Sequence, residues 1–393
     1  MIDNQEILEI SECYDIEKYL PTNFTSNSNI SITSGNIRYN TFFTEHLLPN
    51  IPCVLTGVSA PWECNKTWIK NDKINYDYFR STYGDLEGPV ADCDKFKFNA
   101  HCKQEMKVLE YMNYLEKPNA RLLYLKDWHL RRTRPDDNFY EVPSVFASDW
   151  LNEYALDHGE DDFMFVYIGV CGSWTPLHVD VYSSYSWSVN VTGLKKWILF
   201  PPGEERKFKD LSGNLPLTLE NKNLENVKYF EIYQKKGDAI FVPSGWHHQV
   251  KNIEDTISIN HNWFNGCNLH YVFQSLEENM SLVEEEIDEF KTTPGFFTHC
   301  QLMLKALFGM NYTMFFQIIL HICDKRLLEL ENGSNKYFNK FGFGNNHIKF
   351  DLKCILKIID IVMKKFSYYD KYLEIDIKDR ILEAHKVLTE LFK

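Results

Sequence analysis

No stretch of this 393-residue chain reaches the run of roughly 18 to 20 apolar residues that a membrane-spanning helix needs. The opening Met1-Ile2-Asp3-Asn4-Gln5-Glu6 is acidic and lacks the apolar core of a secretory leader. Neither a membrane nor an export route is therefore expected. The ten cysteines contain no Cys-x-x-Cys pair, which excludes a zinc ribbon and a thioredoxin-type site and points to reduced thiols inside the cell. The expected location is the cytoplasm, with the nucleus as the second choice, and a sequon such as Asn23-Phe24-Thr25 is then accidental. Basic charge is also scarce: the net charge of -13 argues against a direct nucleic-acid binder. The one basic spot, Lys126, Arg131, Arg132 and Arg134, reads as a solvated loop. What the chain does have is a hydrophobic fraction of 44% and an aromatic fraction of 15%, the makeup of a packed globular protein.

Two segments carry chemistry. Trp174-Thr175-Pro176-Leu177-His178-Val179-Asp180 holds a His-x-Asp pair, and Pro243-Ser244-Gly245-Trp246-His247-His248-Gln249-Val250 adds two imidazoles. In a strand, positions i and i+2 share a face, so His178 and Asp180 can grip one ion without bending the backbone. A histidine from a distant strand would close one triangular face of an octahedron and leave the other positions open. That suits non-haem iron and dioxygen better than zinc, which prefers a closed tetrahedron. His-x-Asp alone is a weak pattern, and the surrounding strands give it weight. Ser186-Trp187-Ser188-Val189-Asn190-Val191 and Thr256-Ile257-Ser258-Ile259-Asn260-His261-Asn262-Trp263 each alternate a polar face with an aromatic and aliphatic one. Such strands can face water on the polar side. Beside a His-x-Asp pair they fit better as the wall of a small barrel with a polar interior and a covered exterior.

Organisation along the chain follows composition. Residues 1–36 are polar, with a connector at Thr22 to Asn29; residues 37–162 mix helical periodicity (Tyr76 to Tyr83, Met106 to Leu115) with short strands (Cys53 to Leu55, Leu122 to Leu125) and would wrap the barrel. Residues 163–268 hold the strands and the metal chemistry, interrupted by a polar insertion near 204–228. Residues 269–393 turn helical, with stretches at Val272 to Phe290, Cys300 to Leu330, Leu352 to Phe366 and Ile375 to Phe392. These helices either cap the core or serve as a homodimer or substrate-docking module.

Through Leu122-Leu123-Tyr124-Leu125-Lys126-Asp127-Trp128-His129-Leu130, Ser148-Asp149-Trp150-Leu151-Asn152-Glu153, Ser186 to Val191 and Phe241 to Trp263, the chain resembles the Jumonji C-type oxygenases over about residues 37–270. The resemblance implies an α+β fold built on a double-stranded β-helix, a jelly-roll or cupin-like barrel. It implies Fe(II) as cofactor and 2-oxoglutarate and dioxygen as cosubstrates. The family pattern places the metal ligands at His178, Asp180 and His248; parity agrees, since His248 shares a face with Val250 while His247 shares one with Gln249 and Lys251. For the distal carboxylate of 2-oxoglutarate it implies a lysine on the strand Lys195 to Phe200. Alternation alone leaves Lys195 and Lys196 open, and the spacing in related hydroxylases favours Lys195. Thr175 matches a hydroxyl donor to the same carboxylate, and Asn260 and Ser188, with Asn262, fall where polar residues line the pocket. A tyrosine that several relatives use there has no clear counterpart, the segment in its place reading Phe96-Lys97-Phe98. The implied reaction is lysyl hydroxylation of eukaryotic release factor 1. Histone lysine N-methyl demethylation is the alternative, and a non-catalytic cupin-like scaffold is the third reading.

Overall fold

The computed structural model describes residues 6–19, 29–97, 100–117, 121–211, 213–333 and 340–393. Thirteen strands build two facing sheets: β1 (Ser31–Ser34), β2 (Cys53–Thr56), β3 (Glu87–Lys97), β4 (Ala100–Lys107), β5 (Leu123–Trp128), β6 (Met164–Gly169), β7 (Trp174–His178), β8 (Tyr185–Thr192), β9 (Lys195–Phe200), β10 (Phe230–Gln234), β11 (Ala239–Val242), β12 (His247–Asn252) and β13 (Thr256–Trp263). The larger sheet runs β1-β2-β11-β8-β13-β6-β5-β3-β4 and the smaller β7-β12-β9-β10. From β6 onward the chain switches between the sheets, so its last eight strands coil as a double-stranded β-helix with a jelly-roll cross-section.

Sequence chemistry explains the corners and the faces. Gly193 turns the chain from β8 to β9 with φ of +81°, and a Cβ there would lie 2.1 Å from the Asp255 carbonyl oxygen, so only glycine fits. On β8 and β13 the alternation resolves into an outer face of Trp187, Val189, Val191, Ile257, Ile259 and Trp263, all within the main hydrophobic cluster. That cluster continues without a break into the wrapping segments and the C-terminal helices. The inner faces of the same strands carry Ser186, Ser188, Asn190, Ser258, Asn260 and Asn262, so the barrel interior is polar.

Helices α1 (Tyr76–Tyr83), α2 (Val108–Glu116) and α3 (Trp150–His158) come before the barrel, and α4 (Leu269–Glu286), α5 (Phe296–Phe308), α6 (Tyr312–Asn332), α7 (Asn345–Lys364) and α8 (Ile375–Leu391) follow it. Several expectations shift. The Met106 to Leu115 stretch opens as the end of β4, and its helix begins at Val108. The helix expected from Cys300 to Leu330 is two, α5 and α6, bent by 75° where Gly309 takes φ of +85°. No single helix is long and apolar enough to cross a membrane. The Thr22 to Ser28 part of the expected connector lies outside the described residues. The basic spot divides: Arg132 and Arg134 are exposed, but Lys126 is buried, because it sits on β5 and not in a loop.

Candidate metal centre and cosubstrate pocket

β7 and β12 pair antiparallel with His178 opposite His248. β7 ends at His178, so Asp180 lies just past the strand and not within it, in extended backbone (φ -63°, ψ 152°) that opens the short helical turn Val181–Ser183. The extended conformation keeps the i, i+2 relation that the strand reading relied on. One ligand atom from each of His178, Asp180 and His248 lies within 4.8 Å of the others, close enough to hold a metal ion. The two imidazole rings are 4.3 Å apart.

Each donor is oriented by a second bond. Nδ1 of His178 lies 2.8 Å from the Pro176 carbonyl oxygen, and Nδ1 of His248 lies 3.1 Å from that of Trp246. Both nitrogens must donate to these carbonyls, which leaves the Nε2 lone pairs for a metal. The Asp180 carboxylate accepts a 2.6 Å hydrogen bond from Ser186 Oγ. Burial, and next the neighbouring His248, lower the His178 pKa to about 4, so its ring is neutral and ligating near pH 7. Trp197 stacks on His248 at 5.6 Å and fixes the ring from the barrel side. This donor set fits an Fe(II) ion with positions left for other ligands. His247 faces outward: its ring is 3.8 Å from the Glu205 carboxylate and it pairs with Phe200.

Deeper in the barrel, Lys195 and Lys196 part company. Lys195 is 1% exposed, its ammonium 2.6 Å from Ser258 Oγ and 3.3 Å from Tyr124 Oη, with the Tyr167 ring 5.9 Å away. Burial lowers its pKa to about 7. Lys196 points out of the barrel and pairs with Glu231 at 2.9 Å. Thr175 is half-buried opposite Val250, on the ligand-bearing side of β7. Ser188 Oγ is buried with no hydrogen-bond partner among the described residues, as a group awaiting a ligand would be. Asn260 reaches Ser258 Oγ at 3.3 Å, and Asn262 turns away to Ser184 Oγ at 3.2 Å.

The sequence reading passed over Tyr124, Tyr167 and Ser258. The segment beginning Phe96-Lys97 supplies no pocket tyrosine: Phe96 is exposed, and Phe98 lies outside the described residues. Tyr124 reaches Lys195 instead, because Gly169 stands opposite it and a Cβ there would come within 2.7 Å of the Tyr124 ring. The available signal was in the string Leu122 to Leu130, where a tyrosine alternates with leucines.

A jelly-roll barrel with two imidazoles and a carboxylate at one end and a buried lysine within defines a cupin-fold oxygenase site, and residues 39–268 match the cupin-like domain family. The chain is 41% identical to the 2-oxoglutarate and iron-dependent oxygenase JMJD4 homolog of Drosophila melanogaster over 82% of its length and 85% of that protein's. It is 38% identical to 2-oxoglutarate and iron-dependent oxygenase JMJD4 of Homo sapiens, over 83% and 82%. The Arabidopsis thaliana protein named arginine-specific demethylase JMJ20 is 35% identical over 86% of this chain and 79% of its own. The chain belongs to the JMJD4 family of Jumonji C-type, Fe(II)- and 2-oxoglutarate-dependent dioxygenases.

Proposed function

We propose that the chain hydroxylates a lysine side chain of a protein, eukaryotic release factor 1, with His178, Asp180 and His248 holding the iron and Lys195 the distal carboxylate of 2-oxoglutarate. The observation that carries the site assignment is the pairing of a three-donor cluster with a buried lysine on one barrel interior. The substrate rests on the resemblance carried by the strings at Leu122 to Leu130 and Phe241 to Trp263. When bound, Fe(II) with 2-oxoglutarate and dioxygen supplies oxidation of an unactivated C–H bond, with succinate and carbon dioxide as co-products. The protein's own part is orientation and exclusion of water. Lys195, Tyr124 and Thr175 would hold the cosubstrate by its far end, Ser186 keeps Asp180 aimed, and the Pro176 and Trp246 carbonyls hold both imidazoles in one tautomer.

N-methyl demethylation is the second reading, favoured by the name of the JMJ20 relative. The metal ligands cannot separate the two, since the same oxidation acts on whichever C–H bond is presented. Incubating the enzyme with a release-factor domain and, in parallel, with methylated histone peptides should give a lysine heavier by about one oxygen atom in the former and no formaldehyde from the latter. Formaldehyde with unmodified release factor would reverse the order of the readings.

Lys195 gives a prediction independent of the target. Removing one partner of a desolvated charge pair costs about 2 to 5 kcal/mol, so Lys195→Ala should raise the dissociation constant for 2-oxoglutarate at least roughly 30-fold. Lys196→Ala removes a partly exposed pair and should cost less than about 1 kcal/mol. Only the charged ammonium holds a carboxylate, and with a pKa that burial lowers to about 7 it loses its proton as pH rises. Affinity for 2-oxoglutarate should therefore fall above pH 7, approaching about tenfold per pH unit, and Lys195→Met should flatten the profile. A steep profile surviving in that variant would place the titrating group elsewhere.

A further inference from the structure

The large sheet carries a second buried ammonium inside the barrel. Ala91 stands opposite Tyr124, and Tyr124 opposite Gly169, so the inner face continues from β6 across β5 to β3 and takes in Tyr124, Lys126, Ala91 and Cys93. Between Leu125 and Trp128 the β5–β6 register slips by one residue, and Asp127 adopts φ of +62°, a bulge that sets Lys126 and Asp127 against Tyr167. Bulges of this kind re-aim side chains and gather beside active sites. Here the bulge gives the hydrogen bonds of the Asp127 carboxylate to the Tyr167 hydroxyl and the Lys103 ammonium, and leaves Lys126 with its charge nearby but no hydrogen bond to it.

Lys126 is 8% exposed and makes no side-chain hydrogen bond or ion pair among the described residues. His101, on β4, is 6% exposed, and neither of its ring nitrogens has a partner among them. Burial, and after it the charge of Lys126, bring His101 down to about 4, so its ring is neutral and offers one N–H. The ring lies edge-on to Trp174 at 4.6 Å, on the strand that ends in His178, and the charge of Lys126 reaches His178 as well. Cys93, whose thiol donates to the Trp174 carbonyl at 3.7 Å, closes the same corner.

Asp127 gives Lys126 a nearby charge but no hydrogen bond, and a buried ammonium and imidazole without hydrogen-bond partners are costly and persist where a ligand supplies the acceptor. We propose that Lys126 and His101 form a carboxylate-binding subsite beside the metal centre, separate from Lys195. The set is donor-rich, and the flat Trp174 and small Cys93 walls fit a planar anion. The carboxylate has two sources: the metal-side carboxylate of 2-oxoglutarate or an acidic side chain of the target polypeptide. The inference rests on the metal and cosubstrate assignment above.

The test uses the full chain loaded with Mn(II), titrated by calorimetry with 2-oxoglutarate, and with acetate in the presence and absence of 2-oxoglutarate. If the cosubstrate is the source, Lys126→Met and His101→Phe each weaken 2-oxoglutarate binding at least tenfold. If the target is the source, 2-oxoglutarate affinity holds and acetate binding to the 2-oxoglutarate-saturated protein is lost. In either case Lys126→Arg retains binding. Affinities within twofold of wild type for both ligands overturn the subsite, as does a Lys126→Met protein that melts several degrees lower with unchanged binding. Should Lys126→Met fail to fold, His101→Phe carries the same comparison. Wild-type protein that binds no 2-oxoglutarate would instead sink the cosubstrate assignment, and acetate alone would still read Lys126.

Discussion

Alanine at His178, Asp180 or His248 is expected to abolish iron-dependent turnover of 2-oxoglutarate while leaving the far-ultraviolet circular dichroism and melting temperature close to wild type. Among the described residues three protein donors make up the cluster, so losing one leaves a two-ligand site that cannot retain the ion. The fold does not depend on it: the main hydrophobic cluster lies on the outer face of the large sheet and among the helices, away from these side chains. Ser186→Ala removes only the hydrogen bond that aims Asp180, and loss of such an outer partner costs about 10- to 100-fold in metal affinity or activity. His247→Ala should keep most of the activity, since that ring looks toward Glu205. Metal content per protein, read by mass spectrometry alongside turnover, checks the whole set. An active His248→Ala beside an inactive His247→Ala would exchange their roles.

Residues close in sequence to the motif were readable for a simple reason: alternation is local. His178 and Asp180 are two apart, and the family resemblance, with parity in agreement, picks His248 over His247, so the donor cluster could be drawn before any strand pairing was known. Alternation leaves Lys195 and Lys196 open because both faces of that strand are apolar; the spacing in related hydroxylases favours Lys195, and its burial against Ser258, with Lys196 paired to Glu231, puts it inside. Tyr124 and Lys126 needed the order of the large sheet, which puts β5 beside β6. Lys126 was read as a solvated loop charge because three arginines follow it closely, whereas the strand, and the bulge at Asp127 that turns it inward, are properties of the pairing with β6. The break at Gly309 was similarly hidden, since apolar residues continue at helical spacing on both sides of it.

Besides the shared hydrophobic cluster, an ion cluster joins the C-terminal helices to the barrel's flank, and it carries the second large effect. Arg326 on α6 is fully buried, with its guanidinium 2.9 Å from Glu153 on α3, 3.1 Å from Asp351 on α7 and 3.3 Å from Glu329. The Phe343 ring covers it at 4.3 Å. Lys325 adds a second cation to Glu153 at 2.6 Å. Burial alone would raise the Glu153 carboxyl; Arg326 and Lys325 outweigh it and hold the group below its ordinary range, so it stays ionised. Arg326→Ala would leave Glu153, Glu329 and Asp351 packed together with Lys325 as their remaining cation. Breaking a buried pair from one side costs about 3 to 5 kcal/mol, and at about 2 to 4 °C per kcal/mol for a large domain the melting temperature should fall by roughly 10 °C. Arg326→Met combined with Glu153→Gln and Asp351→Asn removes both signs together and should recover much of that loss, because well-packed neutral side chains have no desolvation penalty to offset. Calorimetric melts of the single and triple variants decide it. A triple variant no more stable than Arg326→Ala would mean that the guanidinium acts through its packing on Phe343 and not through its charge.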